Sequence, residues 1–103
     1  MELEFVYLPK AEGVLSDEEW TAVEQALLDN PRAGDLVANT GGVRKLRVAF
    51  KGRGKRGAAR TIYLHVDAQE RVYFLLAYPK NVKENISAAD KKELRALVAV
   101  LKR

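Results

Sequence analysis

Between Arg44 and Arg60 the chain places eight basic residues and no acid: Arg44, Lys45, Arg47, Lys51, Arg53, Lys55, Arg56 and Arg60. Cations this crowded repel one another and cost stability unless an anion arrives, so the run points to a polyanionic partner. Nucleic acid is the commonest one. Arginine offers a planar fork to two phosphate oxygens, and a lysine among cationic neighbours can exchange a proton near neutral pH. These residue types could cleave RNA: the 2′-hydroxyl attacks its own phosphate, arginine neutralises the crowded phosphorane, and lysine or tyrosine moves the protons. A non-catalytic module that uses the same residues only for backbone contacts is the other reading.

Within this run Gly52-Arg53-Gly54-Lys55-Arg56-Gly57 spells G-x-G-x-x-G. A dinucleotide site needs that turn to lead from a strand into a helix whose N-terminal amides receive the pyrophosphate. Here Thr61-Ile62-Tyr63-Leu64-His65-Val66 follows, with the β-branched and aromatic composition of a strand. No cofactor is expected. The glycines read instead as a basic flap between two antiparallel strands, where Lys51, Arg53, Lys55 and Arg56 can approach a phosphate backbone closely. Cysteine is absent and His65 is the sole histidine. That removes thiolate nucleophiles and a two-histidine acid–base pair, and no histidine–carboxylate cluster has metal-ligand spacing, so no metal is expected. His65, alone on a strand, reads as structural.

The elements that must position these side chains follow from periodicity. Leu3, Phe5 and Tyr7 alternate along a first strand that Pro9 ends. Ser16-Asp17-Glu18-Glu19 is a capping box, Leu15 and Trp20 stand at staple positions, and Trp20, Val23, Leu27 and Leu28 continue an apolar stripe until Asn30-Pro31. Pro31 to Val37 has the makings of a short second helix, and Asn39-Thr40-Gly41-Gly42 of a turn. A strand over Arg44 to Phe50 puts Leu46, Val48 and Phe50 on one face and Lys45, Arg47 and Ala49 on the other. Arg60 to Val66 and Arg71 to Tyr78 complete a meander, and Ser87 caps a last helix with Leu94, Leu97, Val98 and Leu101 on its stripe. The expected fold class is α+β, with helices packed on one face of a small antiparallel sheet.

At 103 residues this is a single domain, 1–103, with room for one modest core. Charge is polarised along it. The first thirty residues hold eight acids against Lys10 alone, although the net charge is only +4. The acidic N-terminus lacks the apolar run of a signal peptide and no stretch is long enough for a membrane span, so a cytoplasmic protein with no membrane partner is expected.

Several runs carry a family resemblance across essentially the whole chain. Gly34-Asp35-Leu36, Asn39 to Arg47, Lys51 to Tyr63, and Tyr78-Pro79-Lys80-Asn81 together resemble the HigB branch of the RelE toxin superfamily. The resemblance implies a RelE-like fold and a toxin of a type II toxin–antitoxin system. It implies an endoribonuclease (mRNA interferase) that cuts mRNA without metal, on the ribosome, inhibits translation and leaves 2′,3′-cyclic phosphate and 5′-hydroxyl ends. The implied partners are mRNA, the ribosome and a helix-turn-helix antitoxin. By position it assigns Arg60 to the scissile phosphate, Lys80 and Tyr78 to the catalytic set, and Lys45, Arg47 and Tyr63 to RNA contact beside the flap. Where many relatives have arginine just after the position of Lys80 and a tyrosine near the C-terminus, this chain has Asn81 and no such tyrosine.

Overall fold

The structure, a computed structural model, describes residues 2–49, 58–79 and 86–103. The chain runs β1 (Glu4–Tyr7), α1 (Asp17–Asp29), β2 (Asp35–Leu36), β3 (Arg44–Ala49), β4 (Ala58–Val66), a 3-10 turn (Asp67–Gln69), β5 (Arg71–Pro79) and α2 (Ala88–Leu101). The strands form one five-stranded sheet in the order β1-β5-β4-β3-β2. It is a mixed α+β architecture, with one departure from an all-antiparallel sheet: β1 lies parallel to β5. The long excursion through α1, β2 and β3 lets β1 occupy the edge opposite β2.

Both helices start as the sequence predicts. The Ser16 hydroxyl accepts from the Glu19 amide at 3.1 Å and the Glu19 carboxylate accepts from the Ser16 amide at 2.8 Å. Ser87 and Asp90 repeat the arrangement at the head of α2. Each reciprocal pair satisfies two backbone donors that helix geometry leaves orphaned.

The helices do not share a face. Trp20, Val23 and Leu27 of α1 pack with Tyr63, Val72, Phe74 and Ala77, whereas Leu94 and Val98 of α2 pack with Ile62, Leu64, Tyr73, Leu75 and Tyr78. The central strands are therefore covered on both sides, which is why β4 and β5 read as nearly continuous apolar runs rather than alternating ones. Leu28, expected on the α1 stripe, is 40% exposed.

The short helix expected over Pro31 to Val37 does not form. Residues 35 and 36 pair with Lys45 and Arg44 as an edge strand. The polar groups of the preceding loop are already taken: the Tyr63 hydroxyl accepts from the Gly34 amide at 3.0 Å and donates to the Pro31 carbonyl at 2.8 Å. Arg44 Nη1 donates to the carbonyls of Arg32 (3.3 Å) and Gly34 (2.7 Å). These side-chain partners replace the i to i+4 bonds a helix would make. Gly34 is required by close approach, since a Cβ there would meet the Lys45 carbonyl oxygen and the Tyr63 ring at 2.9 Å.

A register irregularity decides what lies beside what. Ile62 pairs with Leu76 but its neighbour Tyr63 pairs with Phe74, so β5 carries one extra residue at this point. A bulge of one residue reverses the facing of everything beyond it. Val72 and Phe74 face α1, yet Tyr78, at the same parity in sequence, belongs to the α2 side.

Candidate nucleic-acid interface

The α2 side of the sheet carries a cationic row at the end where β3, β4 and β5 meet the undescribed segments. Arg47 of β3 stands opposite Arg60 of β4 in register. Arg60 in turn stands opposite Tyr78 of β5. Lys45, two residues before Arg47, points to the same face one step along β3 and opposes Ile62. The alternation read from the sequence thus brings Lys45, Arg47 and Arg60 together, and the bulge adds Tyr78.

Arg47 is exposed, while Lys45 and Arg60 are half-buried. The Arg60 guanidinium is unusual in its environment. Its Nε and Nη1 atoms are buried, and neither has a hydrogen-bond partner among the described residues. A buried donor left unpaired costs about 1–3 kcal/mol, more when charged, and like charges directly opposite on neighbouring strands add to that cost. A phosphate drawn to the row would bring the guanidinium acceptor oxygens and would screen Arg47 as well. The row has the chemistry of an incomplete anion site. Tyr78 is only 5% exposed and packs in the apolar cluster under α2, so its ring walls the site rather than offering an open stacking surface.

Tyr63 does not join the row. It faces α1, is fully buried, and spends its hydroxyl on Gly34 and Pro31. Burial pushes its pKa above the ordinary phenol value, and Asp35 adds to the rise, while the Gly34 hydrogen bond and Arg44 oppose it. A ring with no exposed face cannot stack on a base; its role is to hold the loop that carries β2. Tyr63→Phe should therefore cost about 1–3 kcal/mol, because it strands a buried amide and a carbonyl. Denaturant unfolding checks the cost, and activity per folded molecule should stay unchanged. Arg44, also counted in the basic run, serves the same loop. His65 lies on the α1 side too, paired in register with Val72, with its Nε2 3.9 Å from Asp67.

Lys51, Arg53, Lys55 and Arg56 lie outside the described residues, as does Lys80, which follows Pro79, the register partner of Ala59. Sequence reasoning missed a pocket of about 290 Å³ next to Lys45, lined by Asp35, Leu36, Val37, Lys45, Ile86 and Lys91. Its walls come from the edge strand and from the start of α2, and no local pattern signals that these segments meet. Among the described residues no three His, Cys, Asp or Glu side chains cluster so as to hold a metal ion. Nor, among them, is any helix long and apolar enough to cross a membrane.

Residues 5–103 match the family model described as the RelE toxin of the RelE / RelB toxin-antitoxin system. Among solved structures the chain is similar to the E. coli toxin RelE, an arginine-to-alanine double mutant in the free state. Identity is 14%, the TM-score is 0.57, and the likeness covers 82% of this chain and 90% of that one. At that identity it speaks to the fold.

Proposed function

Because the chain belongs to the RelE toxin family, we propose that it is the toxin of a type II toxin–antitoxin system, of the HigB branch, and that it cuts mRNA on the ribosome without metal. The observation that carries the reading is the half-buried Arg60, whose Nε and Nη1 have no hydrogen-bond partner among the described residues, on one face with Arg47 and Lys45. The scissile phosphate sits on Arg60. The 2′-hydroxyl of the upstream nucleotide attacks phosphorus, charge builds on the non-bridging oxygens, and the guanidinium stabilises two of them at once. The 5′-oxygen leaves with a proton, giving 2′,3′-cyclic phosphate and 5′-hydroxyl ends. Arg47 and Lys45 hold the flanking phosphates, and Lys80 is the candidate proton donor to the leaving oxygen. Tyr78 acts by fixing Arg60 from the neighbouring strand. The ribosome and a helix-turn-helix antitoxin are the partners, and the cytoplasm is where both are met.

Growth arrest on expression tests this reading. Arg60→Ala should relieve the arrest and a neutral surface substitution should not. Glu24, which looks like a suitable control in the sequence, is half-buried and accepts the Tyr7 hydroxyl, so exposed Gln25 is the better choice. Persistent arrest with Arg60→Ala would point to a binding module that needs no cleavage.

The flap makes a separate prediction. Neutralising Lys51, Arg53, Lys55 and Arg56 together should flatten the salt dependence of RNA binding, since each phosphate neutralised on a single strand accounts for about 0.7 of the logarithmic slope. A drop of up to roughly 3 in slope is expected from titrations at several salt concentrations. An unchanged slope would move the footprint elsewhere.

A further inference from the structure

Resting on the assignment of the Arg47–Arg60 row to the cleaved phosphate, we propose that the pocket bounded by β2 and the start of α2 receives the nucleobase adjacent to that phosphate, and that Asp35 selects guanine there. The pocket opens beside Lys45, two residues from Arg47 on the same face of β3, a step of about 7 Å along the strand. A nucleotide whose phosphate lies on Arg60 and Arg47 therefore has its neighbour's base within reach of Asp35.

The lining suits a base. Leu36, Val37 and Ile86 line the pocket and supply apolar surface for a ring, and Leu36, on the edge strand, is 63% exposed. Lys45 and Lys91 flank the opening and can take backbone phosphates. Asp35 is the anomaly. A carboxylate on the edge strand beside Lys45 repels phosphate, so it weakens RNA binding unless it makes a contact of its own. Although Asp35 is the register partner of Lys45, it forms no ion pair and accepts no side-chain hydrogen bond among the described residues. Its acceptor lone pairs remain for a ligand.

An ionised carboxylate only accepts. Guanine is the base whose Watson–Crick edge presents two adjacent N–H donors, a match for both carboxylate oxygens, and single-stranded RNA is read on that edge. Adenine and cytosine present one amino group beside an acceptor, and uracil sets carbonyl oxygens on both sides of its single N–H. The order expected is guanine first, adenine and cytosine next, uracil last. The fold holds Asp35 in place for such a contact, since β2 pairs with β3 and the loop before it is fixed by Tyr63 and Arg44. A preorganised acceptor discriminates better than one on a loose segment.

The test uses full-length protein and ribosomes programmed with mRNAs that carry each of the four bases on either side of the cut. The native protein should cleave messages with guanine at one of these positions at least tenfold faster than those with uracil, within the range of about 1–3 kcal/mol that a bidentate base contact supplies. Asp35→Asn keeps the shape but offers one donor and one acceptor, a pair that each of the four base edges can match, so guanine should lose its advantage and the spread of rates among the four messages should narrow to about threefold or less. Thermal midpoints of the two proteins should agree. A cut with Asp35→Asn that keeps the native advantage of guanine overturns the assignment of Asp35. A native protein that cuts no message overturns the RNase reading and this subsite with it.

Discussion

Arg60→Lys should leave ribosome affinity close to native and lower single-turnover cleavage by about 100-fold or more, the loss typical of removing one preorganised donor to a developing anion. Charge is retained, so the long-range attraction that governs binding survives. What disappears is the fork. A lysine ammonium is a point charge and cannot hold two phosphate oxygens in a fixed plane as a guanidinium can. Stability should change little, because lysine keeps both the charge and most of the aliphatic stem of the half-buried Arg60. A matched fall in affinity and rate would make Arg60 a binding residue only.

Phe74→Ala should have the largest effect on stability. Phe74 is fully buried where β1, β5 and α1 converge. Its ring centroid lies 4.8 Å from that of Trp20, 4.9 Å from Tyr7 and 5.7 Å from Phe5. Truncating such a residue costs about 3–5 kcal/mol from lost burial and the cavity left behind. Against a total of roughly 5–15 kcal/mol for an ordinary domain, this removes a large fraction of the margin. At about 4–8 °C per kcal/mol for a domain of this size, the thermal midpoint should fall by roughly 12–40 °C. Calorimetry on native and variant protein checks it. A shift of only a few degrees would mean that the aromatic cluster repacks and that the α1 face is not the main support of the sheet.

How far the sequence reveals these features depends on whether a feature is local. The capping boxes at Ser16 and Ser87 are local and are readable from four residues each. The facing of Lys45 and Arg47 follows from alternation alone, and Arg60 joins them because β3 and β4 form a hairpin. Three features escape for reasons of tertiary structure. Tyr63 looks like an RNA-contacting tyrosine in a basic neighbourhood, but only the fold shows that its ring faces α1 and its hydroxyl belongs to Gly34 and Pro31. Tyr78 reaches the site through a one-residue bulge, and simple alternation from Phe74 would put it on the wrong side. The placement of the two helices on opposite faces is signalled weakly by the unbroken apolar runs of β4 and β5, a pattern that cannot by itself be told from other buried segments. The pocket beside Lys45 joins residues more than fifty positions apart.

The central claim is that Arg60 holds an RNA phosphate while the neighbouring 2′-hydroxyl attacks it. The most direct measurement is the mass of the upstream mRNA fragment released from programmed ribosomes by the native protein and by Arg60→Ala. The account predicts a fragment ending in a 2′,3′-cyclic phosphate with the native protein and none above background with the variant. A fragment ending in a free 3′-hydroxyl, or equal amounts from both proteins, would contradict it.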